Sequence, residues 1–385
     1  MNTVKQNINL MREFSVPLIT GVVAALLWAN LAPHSYRGFL CGRFLGELNF
    51  LFVTNDIFMA FFFGIAAVEI TQSCLPGGDL NPLRKAINPL LSTFGGVFGP
   101  VVIYLILNQL IGSEAFVRGW GIPTATDIAF AWLLARMIFG SRHPAVSFLL
   151  LVAVADDAIG LLIIAVFYPD PNFSVEPVWL SLTALGMVVA LGLRLKGVRA
   201  YWYYVLFGGG LSWAGLFKAH LHPALALVFI IPFLPHAPRE KMHFFEEDAG
   251  DRTSLAQFEH DWKVIVDFGL FMFGLANAGV AFSAFGTPTW LVLVSLLAGK
   301  SAGIFTFGAL AEMLGFALPT GMEKKDLVVS GVISGFGFTV ALFIAGEAFT
   351  EPTVQGAAKM GAMLSFSAAF IALPLGRILR IRKAR

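Results

Sequence analysis

The sequence predicts an all-helical integral membrane protein, and its composition is the first reason. Of its 385 residues, 57% are hydrophobic and only 13% are charged. Uncharged apolar stretches of about 20 residues, long enough to cross a bilayer as a helix, recur along the whole chain. A soluble domain of this size cannot bury so much apolar surface. We therefore predict a single polytopic membrane domain over residues 1–385.

The apolar stretches predict twelve transmembrane spans, separated by short segments rich in Gly, Pro and charged residues. Their approximate bounds are 14–31, 52–73, 86–110, 119–139, 144–168, 177–195, 201–217, 219–235, 262–284, 288–315, 327–349 and 355–378. The distribution of basic residues tests this count. Nineteen Lys and Arg residues fall on the side of the N-terminus, and four fall on the other: Arg37, Arg43, Arg118 and Lys218. Because cytoplasmic loops carry the excess of Lys and Arg, both termini are predicted to be cytoplasmic.

Charge and cysteine content exclude several other classes of protein. The net charge of +2 is too small to indicate a nucleic acid as partner. Cys41 and Cys74 fall on opposite sides of the predicted membrane, so they are interpreted as ordinary thiols and not as a disulfide or metal site.

Two of the twelve spans are predicted to be interrupted. The fourth contains "GWGIPTATDIAF", where Pro123 removes a backbone donor and disfavours helix at the preceding residue. The eleventh contains "SGVISGFGFTVALF", in which Gly331, Gly335 and Gly337 loosen the backbone. Paired interruptions are typical of transporters built from inverted-topology repeats, which makes spans 3–5 and 10–12 the candidate repeats. The alternative is that Gly and Pro are simply common in membrane helices.

Four ionisable residues lie deep in the predicted spans: Asp127, Asp156, Asp157 and Lys300. A charged side chain in mid-bilayer costs about 2.5–3.5 kcal/mol on insertion scales, so such residues are functional candidates by default. The alternative is a structural ion pair or a polar group facing water within the bundle. Asp156 and Asp157, in "VAVADDAIG", are helix neighbours and point about 100° apart. Lys300 can therefore pair with one of them while the other faces a cavity.

The second carboxylate is predicted to bind a cation or a proton. Hard cations prefer oxygen ligands, and Thr126 and Asp127 at the break in span 4 could converge with Asp157 to supply them. A buried carboxylate near a cation can hold a proton or a metal ion, and the two compete. Asp127 could also offset positive N-terminal ends of the half-helices, and Lys300 the negative C-terminal ends.

The motifs around these residues closely resemble those of the bacterial NhaA-type Na+/H+ antiporter family. "IPTATDIAFA", "ADDAIG", "LANAGV", "LLAGKSAGI" and "GFGFTVALFIA" are similar to its signature segments, in the same order and at similar spacing. The resemblance extends from about residue 14 to residue 378. It implies an inner-membrane transporter, without enzymatic activity or cofactor, that moves Na+ or Li+ outward as protons move inward, with more protons than sodium ions per cycle.

The resemblance also implies roles for individual residues. Asp157 would be the primary carboxylate for the ion and the proton, with Na+ held by Asp157, Asp127 and Thr126. Asp156 would pair with Lys300. Thr126 and Asp127 match the unwound crossing of the first broken helix, which Pro123 precedes, and Gly335 to Gly337 match the crossing of the second.

Some positions depart from the family pattern at the cytoplasmic funnel, which is associated there with pH sensing. Glu69 matches an acidic funnel residue, but the charged cluster that follows it in the family is replaced by the uncharged 70–73. Glu259 and His260 match other funnel positions, whereas Asp267 stands where the family has an apolar residue or proline. His222 matches a histidine that affects the pH response, and a hydrogen-bonded interface residue is the equal alternative. These five residues are the candidates for a pH response.

Two further questions stay open at the level of sequence. The first outer loop, 32–51, is shorter than the family's, whose β-hairpin joins two protomers, so a monomer and a homodimer are both compatible with it. The main functional alternative is a sodium-coupled solute symporter of a related fold, which would need a polar pocket for an organic solute. An intramembrane aspartyl protease would need two facing carboxylates, and no GxGD element occurs in the sequence.

Overall fold

The computed structural model describes residues 15–43, 48–78, 83–169, 173–236, 253–381 and 383. Within these ranges the regular secondary structure is entirely helical, which confirms the predicted class. In chain order the helices are α1 (Val16–Leu31), α2 (Pro33–Cys41), α3 (Phe50–Cys74), α4 (Leu83–Ile111), α5 (Ile128–Phe139), α6 (Pro144–Phe167), α7 (Pro177–Leu195), α8 (201–218), α9 (Ser254–Asn277), α10 (Thr287–Met313), α11 (Lys324–Ser334), α12 (Phe338–Ala348), α13 (Pro352–Leu364) and α14 (Ser367–Ile378).

Six helical stretches among the described residues are long and apolar enough to cross a membrane alone. These are Phe50–Cys74, Ala86–Ile111, Pro144–Phe167, Pro177–Leu195, Thr287–Met313 and Pro352–Ile378, the last made of α13 and α14. Two bent pairs meet the same condition when each is taken as one span. The 3-10 segment Glu114–Thr124 meets α5 at 54°, and α11 meets α12 at 47°. The predicted interruptions of spans 4 and 11 are therefore confirmed.

The prediction of an α-helix over 219–235, one of the twelve, is wrong. Over 219–235 the chain forms short 3-10 turns, Pro223–Leu225 and Ile231–Phe233, in place of a continuous α-helix. Pro223 and Pro232 lack the backbone N–H that an α-helix would use, and hydrogen bonds span three residues there, as from Val228 N–H to the Leu225 carbonyl. The ninth helix begins and ends earlier than the predicted 262–284. The count of twelve spans stays a prediction.

Helices α4 and α10 pack with their backbones in contact. A Cβ atom built on Gly303 would lie 1.9 Å from the carbonyl oxygen of Gly95, and one on Gly99 would lie 2.3 Å from that of Gly299. Small residues allow this approach, as at many helix interfaces in membranes. The contact fixes the position of Lys300, the residue that follows Gly299 in α10.

Helix α10 contains a wider turn directly before Lys300. Residues Ser295–Gly299 form a π-helical turn between the α-helical parts of α10. Such turns occur mostly as single-turn insertions in α-helices and are frequent at functional sites. Lys300 therefore begins the second α-helical part of α10.

Burial separates a central helix from a peripheral one. Helix α6, which carries Asp156 and Asp157, has two-thirds of its most apolar window buried, and α7 has only 17% of its window buried. The side chains that α7 exposes are apolar, among them Leu185, Val188, Leu191 and Leu195. Such a surface suits lipid and not water. The two aspartates thus lie in the interior of the bundle.

Candidate functional site

The breaks of the two bent pairs pack directly against each other. The Asp127 N–H donates to the Phe336 carbonyl at 2.7 Å, and the Thr126 hydroxyl lies 3.0 Å from the Ser334 carbonyl oxygen. Glycine makes the approach feasible, because a Cβ on Gly337 would lie 2.7 Å from a methyl carbon of Leu296. Four buried helix ends therefore meet near one point, and each leaves backbone groups that need partners.

Asp127 satisfies the two N-terminal ends. Its Oδ1 atom accepts from the Phe130 N–H at 3.3 Å, which caps α5. Its Oδ2 atom accepts from the Thr339 hydroxyl at 2.9 Å and lies 3.4 Å from the Thr339 backbone nitrogen in the first turn of α12. A carboxylate at a helix N-terminus is favoured by the helix dipole and by the free N–H groups. The geometry agrees with the predicted offset of positive helix ends by Asp127.

Lys300 lies at the C-terminal end of the first half-helix and also pairs with an aspartate. Its Nζ atom donates to the Thr124 carbonyl at 2.5 Å and lies 2.9 Å from Asp156 Oδ2, with both charged side chains fully buried. The Thr126 hydroxyl lies 2.8 Å from the same Asp156 oxygen. The pairing of Lys300 with Asp156 is thus what the structure shows, and one of the two adjacent carboxylates is offset by a cation.

Asp157 has a different environment. Its side chain is 9% exposed, and its Oδ1 atom has no hydrogen-bond partner among the described residues. The charged groups in its surroundings are Glu69, Asp156, Asp127 and Lys300. Three of those four charges are negative, and the one cation already binds Asp156. A cation or a proton at Asp157 would therefore relieve electrostatic repulsion.

The structure brings together only part of the predicted ion site. The Thr126 hydroxyl lies against Asp156 and the Ser334 carbonyl, and the Asp127 carboxylate is used in capping. Among the described residues, no three His, Cys, Asp or Glu side chains are close enough to hold a metal ion together. Thr126, Asp127 and Asp157 all lie near the crossing, and a sodium site made of these three residues stays a prediction.

Thr339 and Ser334 are site residues that sequence reasoning missed. Thr339 binds Asp127 and the Ser334 carbonyl faces Thr126, so both complete the crossing. A signal was present in "ISGFGFT", where a hydroxyl residue follows the glycine break by two positions, as at many helix starts. Its partner on another helix could not be read from the sequence.

The candidate pH-response residues divide into two groups. At one end of α3 and α9, Lys263 Nζ lies 3.2 Å from Glu259 and 4.0 Å from Glu69, while the Gln72 amide donates to Glu259 at 2.7 Å. The charge of Asp267, one turn further along α9, also acts on Lys263. Sequence reasoning missed Lys263 and Gln72 as members of this group. The four side chains Glu69, Gln72, Glu259 and Lys263 form a clamp between α3 and α9.

The two histidines are not part of that clamp. His260 lies beside it in sequence, but its side chain is 84% exposed and 3.5 Å from Asp261. His222 is buried, donates through Nε2 to the Tyr168 carbonyl, and lies 3.7 Å from Glu347 through Nδ1. These contacts of His222 tie three separate segments together, and its part in a pH response stays a prediction.

Comparisons with known proteins agree with the motifs and the geometry. The family model described as Na+/H+ antiporter 1 matches residues 6–376. A protein of Pelobacter propionicus named Na(+)/H(+) antiporter NhaA 2 is 66% identical over 379 residues, covering 98% of this chain and 99% of that protein. The Na(+)/H(+) antiporter NhaA of Geotalea uraniireducens is 68% identical over 378 residues, with 98% of each chain covered.

A more distant relative and a solved structure complete the comparison. The Na(+)/H(+) antiporter NhaA of Desulfitobacterium hafniense is 60% identical over 385 residues, covering 100% of this chain and 99% of that protein. The structure of the sodium proton antiporter MjNhaP1 from Methanocaldococcus jannaschii covers 96% of this chain and 99% of its own at 14% identity, with a TM-score of 0.49, too low to support a closer comparison. On the sequence matches, this chain belongs to the Na+/H+ antiporter 1 family and is of the NhaA type.

Proposed function

We propose that this protein exchanges cytoplasmic Na+, or Li+, for external H+, and that the two cargoes compete for Asp157. The observation that carries this proposal is the contrast between two neighbouring carboxylates. Asp156 is paired with Lys300 at 2.9 Å, whereas no cationic side chain pairs with Asp157 among the described residues, and its Oδ1 atom also lacks a hydrogen-bond partner there. A buried carboxylate left in this state gains most from a bound proton or cation. The antiporter names of the relatives agree with this assignment.

Competition at a single carboxylate is sufficient to couple the two fluxes. A carboxylate must lose its proton before it can bind a metal ion, so occupancy by one cargo excludes the other. If the protein exposes Asp157 to one side of the membrane at a time, protons from outside displace Na+ while the site is open outward, and cytoplasmic Na+ displaces the proton while the site is open inward. Movement of one helix bundle against the other would switch the access, and more protons than sodium ions per cycle would make the exchange electrogenic.

The crossing has a supporting role in this proposal. Asp127 and Lys300 neutralise the buried ends of the half-helices, so that irregular backbone is tolerated in the interior. Thr126 links the crossing to Asp156. A cation that recruited Asp127 and Thr126 as further ligands of Asp157 would have to take them from these contacts, which would link ion binding to movement of the half-helices.

The proposed membrane arrangement is a single domain of twelve spans, of which 219–235 consists of packed 3-10 turns and not of a continuous α-helix. Both termini would lie in the cytoplasm of a bacterial cell, with its inner membrane as location. The two bent pairs support inverted repeats, because each follows a long helix, α4 or α10, and precedes another membrane-length stretch. A role in pH and sodium homeostasis would follow from the exchange. A monomer and a homodimer both fit this arrangement, and the mass of the detergent-solubilised protein decides between them.

The competing reading is a sodium-coupled symporter of a related fold. That protein would need an organic solute together with Na+, and its proton flux would not depend on Na+ alone. Protease chemistry is disfavoured because the Asp127 oxygens are engaged with helix N-termini and do not face Asp157 across a shared water. The proposed exchange requires no cofactor.

Proton flux in everted vesicles tests the function. Addition of Na+ or Li+ should release protons from acidified vesicles, measured by the recovery of a pH-sensitive dye. Asp157→Asn keeps the size of the side chain but removes its charge, and we expect no recovery. Asp261→Asn, at an exposed position bound to Tyr201, is the matched control and should exchange normally. Normal exchange by Asp157→Asn would refute the role of that carboxylate, and a requirement for an organic solute would favour the symporter.

A further inference from the structure

Close backbone contacts hold two groups of helices together. Within the candidate repeats, α4 and α10 touch at their glycines. Outside the repeats, a Cβ atom built on Gly21 of α1 would lie 2.3 Å from the Phe271 carbonyl oxygen of α9. We call the first group the repeat bundle, which comprises α4–α6, the 3-10 segment Glu114–Thr124 and α10–α14. The second group, the scaffold, comprises the remaining helices and the turns of 219–235.

His222, in the scaffold, makes polar contacts with two elements of the repeat bundle. Its Nε2 atom donates to the carbonyl of Tyr168, just beyond the end of α6. Its Nδ1 atom lies 3.7 Å from a carboxylate oxygen of Glu347, in the last turn of α12. Both partners are acceptors, so a ring that donates from both nitrogens satisfies them. These contacts cross from the scaffold to the repeat bundle, whereas the hydrogen bonds of the clamp join α3 to α9 within the scaffold.

Tyr168 extends this contact to the first bent pair. Its hydroxyl accepts from the Gly121 N–H at 2.9 Å and donates to the Arg118 carbonyl at 2.7 Å, both in the 3-10 segment. Glu347 lies at the end of α12, the outer half of the second bent pair. His222 is therefore linked, directly or through one residue, to the outer halves of both pairs. In the proposed orientation this region lies on the external side.

An apolar contact between the same two groups lies next to the histidine. The Phe343 ring of α12 is 5.3 Å from the Phe63 ring of α3 and 6.0 Å from the His222 ring. Both phenylalanines are at most 2% exposed, so water is excluded between them. Tyr168 follows Asp157 by about 16 Å of helix. The polar contact thus lies on the outer side of the ion-binding carboxylate.

Glu347 has a cationic neighbour within the repeat bundle. Its charge acts on Lys359 of α13, and the Lys359 Nζ atom would lie 3.8 Å from a Cβ built on the adjacent Gly346. A carboxylate that let go of His222 would keep this cation nearby. Opening would therefore not leave a partly buried charge alone, which is the costly way to break an ion pair. The contact with His222 is thus suited to being broken and remade.

We propose that the contact between His222 and Glu347 is an outer latch, which holds the repeat bundle against the scaffold on the external side. The latch must break before external protons reach Asp157. The inference rests on the proposed function, because it concerns one access step of that exchange. His222 and Glu347 are positioning residues in this scheme, since they touch neither cargo and set how often the external side opens. A weaker latch shifts the population towards the outward-open state.

Thiol reactivity from the outside measures that opening. In a Cys41→Ser/Cys74→Ser background, Val340→Cys places a thiol at a buried position two turns before Glu347, on the same face of α12. Silver ion is added to right-side-out vesicles, and the remaining thiols are counted with a maleimide dye after denaturation. Glu347→Leu should raise the reaction rate about tenfold, as expected for a lost contact with a charged group. Glu351→Leu, which removes an exposed charge just before α13, is the control and should leave the rate unchanged.

Two results of this experiment would overturn the proposal. One is a rate in Glu347→Leu equal to that of the background with Val340→Cys alone. The other is an equal rise when silver ion is added to everted vesicles, because general loosening of the protein would then explain the faster reaction.

A covalent bridge across the latch should stop exchange. His222→Cys/Glu347→Cys is joined in intact cells with a short bifunctional thiosulfonate, and Na+-dependent proton flux is then measured in everted vesicles. Bridging should abolish the flux and reduction should restore it, because the repeat bundle cannot leave the scaffold while it is bridged. The control Trp179→Cys/Lys218→Cys joins two scaffold helices on the external side, where the Lys218 ammonium lies 4.3 Å from the Trp179 ring, and should keep its flux. Full flux through the bridged latch pair would contradict the proposal.

A double variant tests whether the two residues act through one contact. His222→Phe keeps an aromatic ring beside Phe343 but removes both polar contacts, so it should raise the external reaction rate at least as much as Glu347→Leu. The combination should react no faster than His222→Phe, and a rate equal to the product of the two effects would refute a shared latch. Thiol chemistry requires no transport. The latch can therefore fail while Na+-dependent flux persists, and normal exchange by Asp157→Asn would refute the proposed function whatever the thiol rates are.

Discussion

Asp127 joins two half-helices through one carboxylate. It accepts hydrogen bonds from the first turns of both α5 and α12, so neither helix end is buried without a partner. This explains why an acidic residue at a helix break is compatible with a buried position. Its contribution to stability through these caps can be measured separately from any contribution to ion binding.

Removal of the Asp127 caps should destabilise the protein measurably. For Asp127→Ala we expect the free energy of unfolding to fall by about 2–3 kcal/mol, because a cap contributes about 1 kcal/mol and two are lost together with a charge. Thr339→Val, which removes one of the hydrogen bonds and keeps the rest, should cost about 1 kcal/mol. Thermal unfolding in detergent measures both. A wild-type melting temperature in Asp127→Ala would show that the caps contribute little.

Lys300 is expected to be more important for stability than any exposed cation. In Lys300→Met the Asp156 charge is left buried without a partner, which typically costs about 3–5 kcal/mol. The loss should shrink at low pH, because a protonated Asp156 no longer needs the cation. The double variant Lys300→Met/Asp156→Asn should recover much of the melting temperature. If the single and double variants melt alike at all pH values, the ion pair is not what stabilises this region.

Candidate site residues could be predicted from the sequence where the residue type alone is unusual in its surroundings. Charges inside apolar stretches are visible in a sequence, and so the candidacy of Asp127, Asp156, Asp157 and Lys300 could be argued from it alone. The partners could not, because the distance between α10 and α6 is set by packing along the chain. Thr339 and Gln72 look like ordinary polar residues until their neighbours on other helices are known.

At the scale of elements, the contact of α4 with α10 is the feature that places Lys300. We expect Gly303→Ala to force these helices apart, since its Cβ would lie 1.9 Å from a backbone oxygen that cannot move alone. The cost should be about 1–3 kcal/mol, as for other overpacked positions. Gly192→Ala in α7, with no atom within 4 Å of the new Cβ, is the control and should not destabilise the protein. Equal melting temperatures of Gly303→Ala and the wild-type protein would argue against a close backbone contact between α4 and α10.

The clamp between α3 and α9 should affect regulation more than stability. Lys263→Met removes a partly exposed ion pair, so the free energy of unfolding should change by less than about 1 kcal/mol. The pH at which exchange is half-maximal should move upward, because carboxylates without a nearby cation retain protons more strongly. Dye-based flux at a series of pH values measures this shift. An unchanged profile with reduced stability would make the clamp purely structural.

Among the elements, broken helices were predictable and the segment 219–235 was not. Pro123 and the glycines of 335–337 interrupt the helical pattern at positions where the structure bends by 54° and 47°. Over 219–235 the apolar run is long enough for a helix, but Pro223 and Pro232 lack the backbone N–H that a continuous α-helix needs. An apolar run is equally compatible with a buried helix and with buried turns, so hydrophobicity alone cannot distinguish these two structures.

For the molecule as a whole, competition between Na+ and H+ should govern the pH dependence of exchange. If both bind to Asp157, the apparent KM for Na+ should rise as the pH falls, approaching about tenfold per pH unit for each competing proton. The maximal rate at saturating Na+ should change much less. Initial rates of dye recovery, measured over a matrix of pH and Na+ concentration, give both quantities. A KM independent of pH would mean that the two cargoes bind at separate places.

Composition predicted the whole-molecule class because lipid and water make opposite demands on a surface. The apolar side chains that α7 exposes suit contact with lipid, whereas the charged side chains of α6 and α10 are buried inside the protein. The relative arrangement of the helices was not predictable in the same way. It depends on backbone contacts such as that between Gly95 and Gly303, which a count of apolar residues does not record.

The π-helical turn of α10 means that this helix contains one surplus residue just ahead of its lysine. Excision of Leu297 would let the turn relax into regular α-helix while the flanking parts keep their mutual rotation. An excision anywhere else in α10 would swing everything beyond it by about 100°. Between the start of α10 and Lys300, this turn is therefore the one place where the helix can lose a residue without redirecting the ammonium group away from Asp156.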